Sequence, residues 1–199
     1  MYQLIKGLNS VLSSPVLTGA DISTRYQHDW SAEVPGVPVA VARPVSTAEV
    51  SAILKICSEL GQSVVVQGGL SGLCGGGNPQ AGELAISLER LVGIEEIDTA
   101  AMTMTVKAGT PLQVIQEAAA AAGFVFPLDL GARGTCLIGG NIATNAGGNQ
   151  VLRFGMTRNL VLGLETVLAD GTVISSMNKM LKNNAAYDLK HLFIGSEGT

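Results

Sequence analysis

Residues 127–148 read PLDLGARGTCLIGGNIATNAGG. The stretch is crowded with Gly, Ala, Thr and Asn and is nearly free of charge. Neither an amphipathic helix nor an alternating strand is written in such residues. Glycine reaches backbone conformations closed to other residues and lets a partner approach the main chain closely. Within the stretch, LIGGNIATNAGG (137–148) predicts a short helix whose small residues let a flat ligand lie against the backbone. Gly139 and Gly140 are expected to expose amides at the helix start, where anions are favoured. Thr144 and Asn145 add side-chain donors. Tight helix packing through small residues is the competing explanation.

A second glycine cluster lies upstream. SVVVQ (63–67) reads as a strand, and GGLSGLCGGGNP (68–79) follows it as a loop. Successive amides in such a loop form a nest for an anion, here a phosphate or pyrophosphate, and Ser71 adds a hydroxyl. The spacing GGxSG matches neither the GxGxxG dinucleotide fingerprint nor the GxxxxGK[ST] phosphate loop. One such loop is equally well a plain surface turn. Two clusters in a weakly charged chain fit one long ligand better: a dinucleotide, with phosphates in the middle and a ring system at one end.

Composition sets the frame for that ligand. The 199 residues are 47% apolar and only 14% charged, with 25 glycines. That is enough for one generous domain or two small ones, with a sizeable core. A net charge of -4 with no basic run argues against nucleic acid and against an anionic membrane surface. The three cysteines, Cys57, Cys74 and Cys136, lie far apart with no metal-ligand spacing. They fit a reduced compartment, and cytoplasmic placement is expected. No signal peptide is visible, and no run approaches the ~18 apolar residues of a membrane helix.

Local signals place the elements. Residues 1–14 predict a short amphipathic helix and 15–38 a polar, irregular lead-in. Ser46 and Glu49 have capping-box spacing and open a helix that runs to Leu60, with Gly61 at its stop. ELAIS (84–88) predicts a strand, and GIEEID with MTMTVKAG two more within 93–109. Thr110 and Pro111 form an N-cap and N1 pair for a helix closed by Gly123. NLVLGLETVLADGTVISS (159–176) predicts a hairpin turning at Asp170-Gly171, and a last short helix lies near 188–192. The mixture of helices with several antiparallel pairs is α+β rather than a βαβ repeat.

Several chemistry-bearing residues have plainer explanations. His28 and His191 lack partners at ligand spacing and read as surface or helix-end histidines. Asp129 and Glu197, beside the glycine motifs, read as loop-organising carboxylates. Cys136 reads as a small packed residue, and Met102 and Met104 as core. No nucleophile–base pair is visible.

Four motifs in order carry a family resemblance: VVVQGGLSGLCGGGNP (64–79), FPLDLGARGTCLIGGNIATNAGG (126–148), LVLGLETVLADGTVI (160–174) and AAYDLKHLFIGSEGT (185–199). They resemble the FAD-binding domain of the FAD-linked oxidases, the vanillyl-alcohol oxidase / p-cresol methylhydroxylase (PCMH) superfamily. Within it, the D-2-hydroxyacid dehydrogenases and the D subunit of glycolate oxidase are the most similar. The resemblance implies a PCMH-type fold of two α+β subdomains with FAD between them. It covers residues 35–199, with 1–34 as a lead-in. It assigns Gly68, Gly69, Leu70, Ser71 and Gly72 to the pyrophosphate. Pro127, Leu128, Gly134 and Thr135 would line the cofactor, with Gly139, Gly140, Asn141, Ala143, Thr144 and Gly147. Glu197 and Gly198 would lie near the adenine–ribose end.

Departures from the family pattern matter too. Members that attach flavin covalently through the first loop carry His after Gly-Gly; Leu70 stands there, so FAD is expected to be non-covalent. Relatives usually show Asn-Thr at 70–71, so Ser71 keeps a hydroxyl while Leu70 loses a polar contact. Ala185-Ala186-Tyr187 replaces Thr-Gly-Tyr. The family continues past GSEGT into a substrate domain that carries the metal-binding histidines and a substrate-gripping arginine. The chain is therefore expected to be an N-terminal fragment without catalytic or metal-binding residues of its own, and prone to dimerise. The implied activity is oxidation of a D-2-hydroxyacid (D-lactate, D-2-hydroxyglutarate or glycolate) by hydride transfer to FAD. An FAD-binding subunit of a glycolate-oxidase-like complex and a non-redox flavoenzyme of the same superfamily, such as an ether-lipid synthase, are the alternatives.

Overall fold

The computed structural model describes residues 1–31 and 36–199. The expected boundary between lead-in and domain, at 34/35, lies outside the described residues. The chain folds as two compact units, Met1–Leu91 with Val167–Ile174, and Val92–Thr166 with Ser175–Thr199.

The first unit is built on a parallel sheet. Strands β1 (Ala40–Ala42), β2 (Val64–Gln67) and β3 (Leu84–Ser87) pair in the order β1-β3-β2, with Val41 and Val65 both opposite Ala85. Every residue of β1 and β3 is buried, as expected of strands covered on both faces. Side chains alternate between those faces. Ala40, Ala42, Leu84 and Ile86 meet Leu4 and Leu8 of α1 (Tyr2–Val11) and Ile53 and Leu54 of α2 (Thr47–Leu60). Val41 and Ala85 point the other way, onto Ile22 and Tyr26. Burial of each large side chain in such a core contributes about 1.5–3 kcal/mol. Beside the antiparallel pairs that the sequence leads one to expect, the β1–α2–β2 crossover adds a parallel sheet. The three-residue β1 is too short to announce itself in sequence.

Helix α2 shows how local chemistry sets the ends. Ser46 Oγ accepts the Glu49 amide at 3.2 Å, and Gly61 closes the helix at φ +63°. The Glu49 carboxylate does not complete a capping box. It accepts from the amides of Val45 at 2.9 Å and Ser13 at 3.0 Å, tying the chain after α1 to the start of α2.

The second unit begins with the hairpin β4 (Ile94–Asp98) and β5 (Thr103–Val106), antiparallel with a bulge between Ile94 and Glu96. Helix α3 (Leu112–Ala121) follows, and Gly123 leaves it at φ +83°. Its cap lies one residue later than expected, at Pro111. Thr110 Oγ1 instead lies 3.1 Å from both the amide and the carbonyl of Gly93. Leu112, Ile115, Leu128, Cys136 and Ile138 form the core, with Met104 against it. Met102 is a correction: it sits in the β4–β5 turn at φ +53°, 72% exposed.

Short helices α4 (Ile138–Ala143), α5 (Val151–Phe154) and α6 (Thr157–Leu160) come next. Helix α6 takes Asn159 and Leu160 out of the expected hairpin. The hairpin itself is β6 (Leu164–Val167) and β7 (Val173–Ser176), and α7 (Lys190–Phe193) is the last helix. The turn is the expected one. Gly171 sits at φ +86°, Asp170 Oδ1 accepts the Thr172 amide at 2.8 Å, and Leu168 N–H donates to Thr172 C=O. The tip of this hairpin, Val167–Ile174, belongs to the first unit, where Ser51 Oγ donates to the Gly171 carbonyl at 2.5 Å.

Candidate functional site

The first glycine loop leaves the carboxyl end of β2. In parallel sheets that end is where ligands bind. Gln67, the last strand residue, is fully buried and uses Nε2 to bond the carbonyls of Tyr26 at 2.8 Å and Gly77 at 2.9 Å. Its Oε1 is buried without a partner among the described residues. Leu70 takes φ +51°, an uncommon state for a non-glycine residue and a mark of functional backbone. Its side chain folds over Gly77, where an added Cβ would lie 2.7 Å from Leu70 Cδ2. The carbonyl of Gly72 accepts the Trp30 amide at 2.9 Å. The amides of Gly69, Leu70, Ser71, Gly72, Leu73 and Cys74, and the Ser71 hydroxyl, find no partner among the described residues. A loop that holds the carbonyls of Gly72, Gly75 and Gly77 in hydrogen bonds while a run of its N–H groups stays open has the chemistry of an anion site.

Asp29 organises this loop from outside. It is 4% exposed. Its Oδ2 accepts the Gly75 amide at 3.0 Å, its Oδ1 the Ser31 amide at 2.9 Å, and its own amide donates to Asn78 Oδ1 at 2.6 Å. Burial pushes the Asp29 carboxyl up, but the Ser31 hydroxyl and the Ser31 and Gly75 amides outweigh it and hold the group below the usual carboxylate range. The segment read as an irregular lead-in is thus part of the loop's frame. Sequence offered no signal for it, because its partners lie more than forty residues away.

The second glycine stretch is built differently. Gly139 does not expose its amide, which donates to the Ala108 carbonyl at 2.8 Å. A Cβ there would sit 2.9 Å from Ala108 Cβ, so this glycine serves the packing of α4 against residue 108. Gly147 abuts Met156, with 3.0 Å from an added Cβ to Sδ. At Gly148, φ is +78° and an added Cβ would fall 2.1 Å from the Asp129 carbonyl. Gly140 is the exception: its amide has no acceptor among the described residues, and a Cβ would meet nothing within 4 Å. Thr144 is exposed but donates its hydroxyl to the Gly140 carbonyl at 2.9 Å. Asn145, at φ +48°, accepts the Arg158 amide at 2.9 Å.

The remaining expected site residues divide into surface and core. Gly134 and Thr135 are exposed, Pro127 and Ala143 half-buried. Leu128 is 2% exposed and packed in the core, and Asn141 is 4% exposed with Nδ2 3.6 Å from Cys136 Sγ. Neither presents its side chain to a ligand. The Asp129 carbonyl accepts the Asn149 amide at 3.2 Å, and its carboxylate lies 3.5 Å from both Arg133 Nη1 and Gln116 Nε2.

The chain's last residues cap α4. Gly195 N–H donates to Ile142 C=O at 3.1 Å and Glu197 N–H to Ala143 C=O at 3.0 Å. Glu197 takes φ +55° and Gly198 φ +87°, both exposed. Arg158, which the sequence reading passed over, fastens this segment: its guanidinium donates to the carbonyls of His191, at 2.9 Å, and Ile194. Among the described residues no three His, Cys, Asp or Glu side chains cluster as metal ligands. None of their helices is long and apolar enough to cross a membrane. Cys57 and Cys136 are buried, which raises both thiol pKa values, Cys57 to about 11, while Cys74 is exposed on the first loop.

Known proteins share this architecture. Residues 38–176 match the family described as FAD binding domain. D-2-hydroxyglutarate dehydrogenase of Xanthomonas citri pv. viticola is 45% identical over 174 residues, covering 87% of this chain and 37% of its own length. The mitochondrial D-2-hydroxyglutarate dehydrogenase of Bos taurus is 42% identical over 195 residues, covering 98% and 36%. The chain therefore spans little more than a third of the curated relatives it matches. Among solved structures, an alkyldihydroxyacetonephosphate synthase superposes with a TM-score of 0.86 at 19% identity, over 100% of this chain and 38% of that one. 6-Hydroxy-D-nicotine oxidase from Arthrobacter nicotinovorans gives 0.74 at 21%, over 94% and 39%. At such identities the two structures establish the α+β fold alone. The match over residues 38–176 decides the family: the chain belongs to the FAD binding domain family, and FAD is its cofactor.

Proposed function

We propose that this chain is the FAD-binding part of a flavin-dependent dehydrogenase that oxidises a D-2-hydroxyacid, with D-2-hydroxyglutarate the first substrate to test. The observation that carries the reading is the identity of 42–45%, over 87–98% of this chain, to relatives named D-2-hydroxyglutarate dehydrogenase. Bound FAD supplies the two-electron redox chemistry, and the protein supplies binding, orientation and electrostatics.

In the proposal, the amides of Gly68–Gly72 and the Ser71 hydroxyl hold the pyrophosphate. The unpartnered amides there support this. The open amide and empty space at Gly140 support a cofactor lying against the start of α4, with Thr144, Ala143 and Gly147 beside it. Gly139 contributes by fitting α4 close to Ala108. Pro127, Gly134 and Thr135 complete the lining, Leu128 and Asn141 hold it from the core side, and Glu197 and Gly198 stand at the adenine–ribose end. FAD is non-covalent, because Leu70 offers no nucleophile where covalent members carry His. Residues that deprotonate the substrate and grip its carboxylate belong to the rest of the parent protein.

Two measurements test the reading. The purified chain, desalted after incubation with FAD, should keep flavin bands near about 375 and 450 nm, a property of the bound cofactor. Acid should release the flavin. The full-length protein should reduce an artificial electron acceptor with D-2-hydroxyglutarate faster than with D-lactate or glycolate. A colourless full-length protein would overturn the cofactor site, and flavin retention without turnover of any of the three acids would overturn the substrate class. Cytoplasmic placement and dimer formation are part of the proposal. Cell fractionation tests the first, with the mitochondrial location in the name of the Bos taurus relative as the alternative outcome, and light scattering tests the second.

A further inference from the structure

We infer that Asp29 is a positioning residue that holds the 68–77 loop in its anion-binding form; the inference rests on the proposed pyrophosphate site. Asp29 lies outside residues 38–176, the part matched by the family. Its geometry explains why the loop's amides are open. A buried carboxylate is costly unless each oxygen is hydrogen-bonded. Asp29 meets that demand by drawing the Gly75 amide to Oδ2 at 3.0 Å and the Ser31 amide to Oδ1 at 2.9 Å.

Neighbouring groups tie two of the loop's carbonyls, those of Gly72 and Gly77. Trp30 N–H donates to Gly72 C=O at 2.9 Å. Gln67 Nε2 bridges Tyr26 C=O and Gly77 C=O. Asn78 Oδ1 fixes Asp29 itself through its amide at 2.6 Å. Carbonyl dipoles would repel a phosphate. With Gly72 C=O turned to Trp30 and Gly77 C=O to Gln67, the amides of Gly69 to Cys74 are left for a ligand. The same carboxylate also carries a negative charge near the proposed anion, an effect of opposite sign. The charge is offset by an N–H on each oxygen and the group faces inward, at 4% residue exposure. Preorganisation of the loop is therefore the larger effect.

The test uses the full-length protein stripped of flavin, as wild type, Asp29→Ala and Asp29→Asn, titrated with FAD and with riboflavin, which lacks the phosphates. Loss of the charge-assisted bond to Gly75, and of the one to Ser31 that holds the segment beside the loop, should weaken FAD on the order of tenfold or more in Asp29→Ala. Riboflavin affinity should stay within about twofold, since no phosphate reads the loop. Asp29→Asn keeps one acceptor oxygen and should fall between the two. It stands in for Asp29→Ala if that variant does not fold. Equal loss for both ligands would overturn the inference, because a merely structural residue weakens them together. Unchanged or tighter FAD binding in Asp29→Ala would overturn it as well, because charge repulsion would then dominate. A wild type that binds no FAD would overturn the proposed site along with the inference. A wild type that binds FAD beside an indifferent Asp29→Ala variant would overturn the inference alone.

Discussion

The two glycine clusters look alike in sequence and differ in what they do. In the 68–77 loop, small residues free a row of amides, and the loop's shape is imposed from outside by Asp29, Gln67 and Asn78. In the 139–148 stretch, Gly139, Gly147 and Gly148 are small because Ala108, Met156 and the Asp129 carbonyl stand against them. One cluster spends its glycines on exposed backbone, the other mostly on close packing. Gly140 alone in the second stretch behaves like a member of the first.

This contrast can be broken by substitution. Gly148→Ala should have the largest effect: it adds a Cβ 2.1 Å from the Asp129 carbonyl at φ +78°. The variant should be destabilised by about 4 kcal/mol or more, or fail to fold, as strain combined with overlap does. Denaturant titration reads it, and a wild-type midpoint would remove the packing explanation. Gly139→Ala should come next, at about 1–3 kcal/mol, the usual cost of overpacking against Ala108. Gly140→Ala should leave stability equal or raise it by up to about 1 kcal/mol, since alanine is the better helix former. FAD affinity should nevertheless fall, because the methyl enters the space proposed for the cofactor. If stability and affinity both stay unchanged, Gly140 belongs with neither cluster. Cys74→Ser on the first loop should change stability least, within about 0.5 kcal/mol as for an exposed site. In the wild type, iodoacetamide at pH 8 followed by peptide mass spectrometry should label Cys74. Cys57, its thiol pushed up to about 11 by burial, and buried Cys136 should stay unmodified.

The sequence was legible where meaning is local. Ser46 at the start of α2, Gly61 at its end and Asp170-Gly171 in the hairpin turn read correctly, because each acts on neighbours within a few residues. It was illegible where a residue's role is set by a distant partner. Glu49 has capping-box spacing yet serves Ser13, 36 residues away. Asp29 looks like one more polar residue in an irregular stretch, and its partner Asn78 is 49 residues on. The glycines fall between these cases. Their clustering announces special backbone, but whether a glycine admits a ligand or a neighbouring side chain depends on what the fold places against it.

The hairpin β6–β7 has a consequence for how the protein is made. Its tip is part of the first unit, and Ser51 Oγ reaches the Gly171 carbonyl across 120 residues of sequence. On the ribosome the first unit is thus left without its last piece while most of the second is translated. At about 5–20 residues per second that interval is on the order of ten seconds. The N-terminal unit waits through it with Val167's place in its core still empty, and order of synthesis is not order of completion.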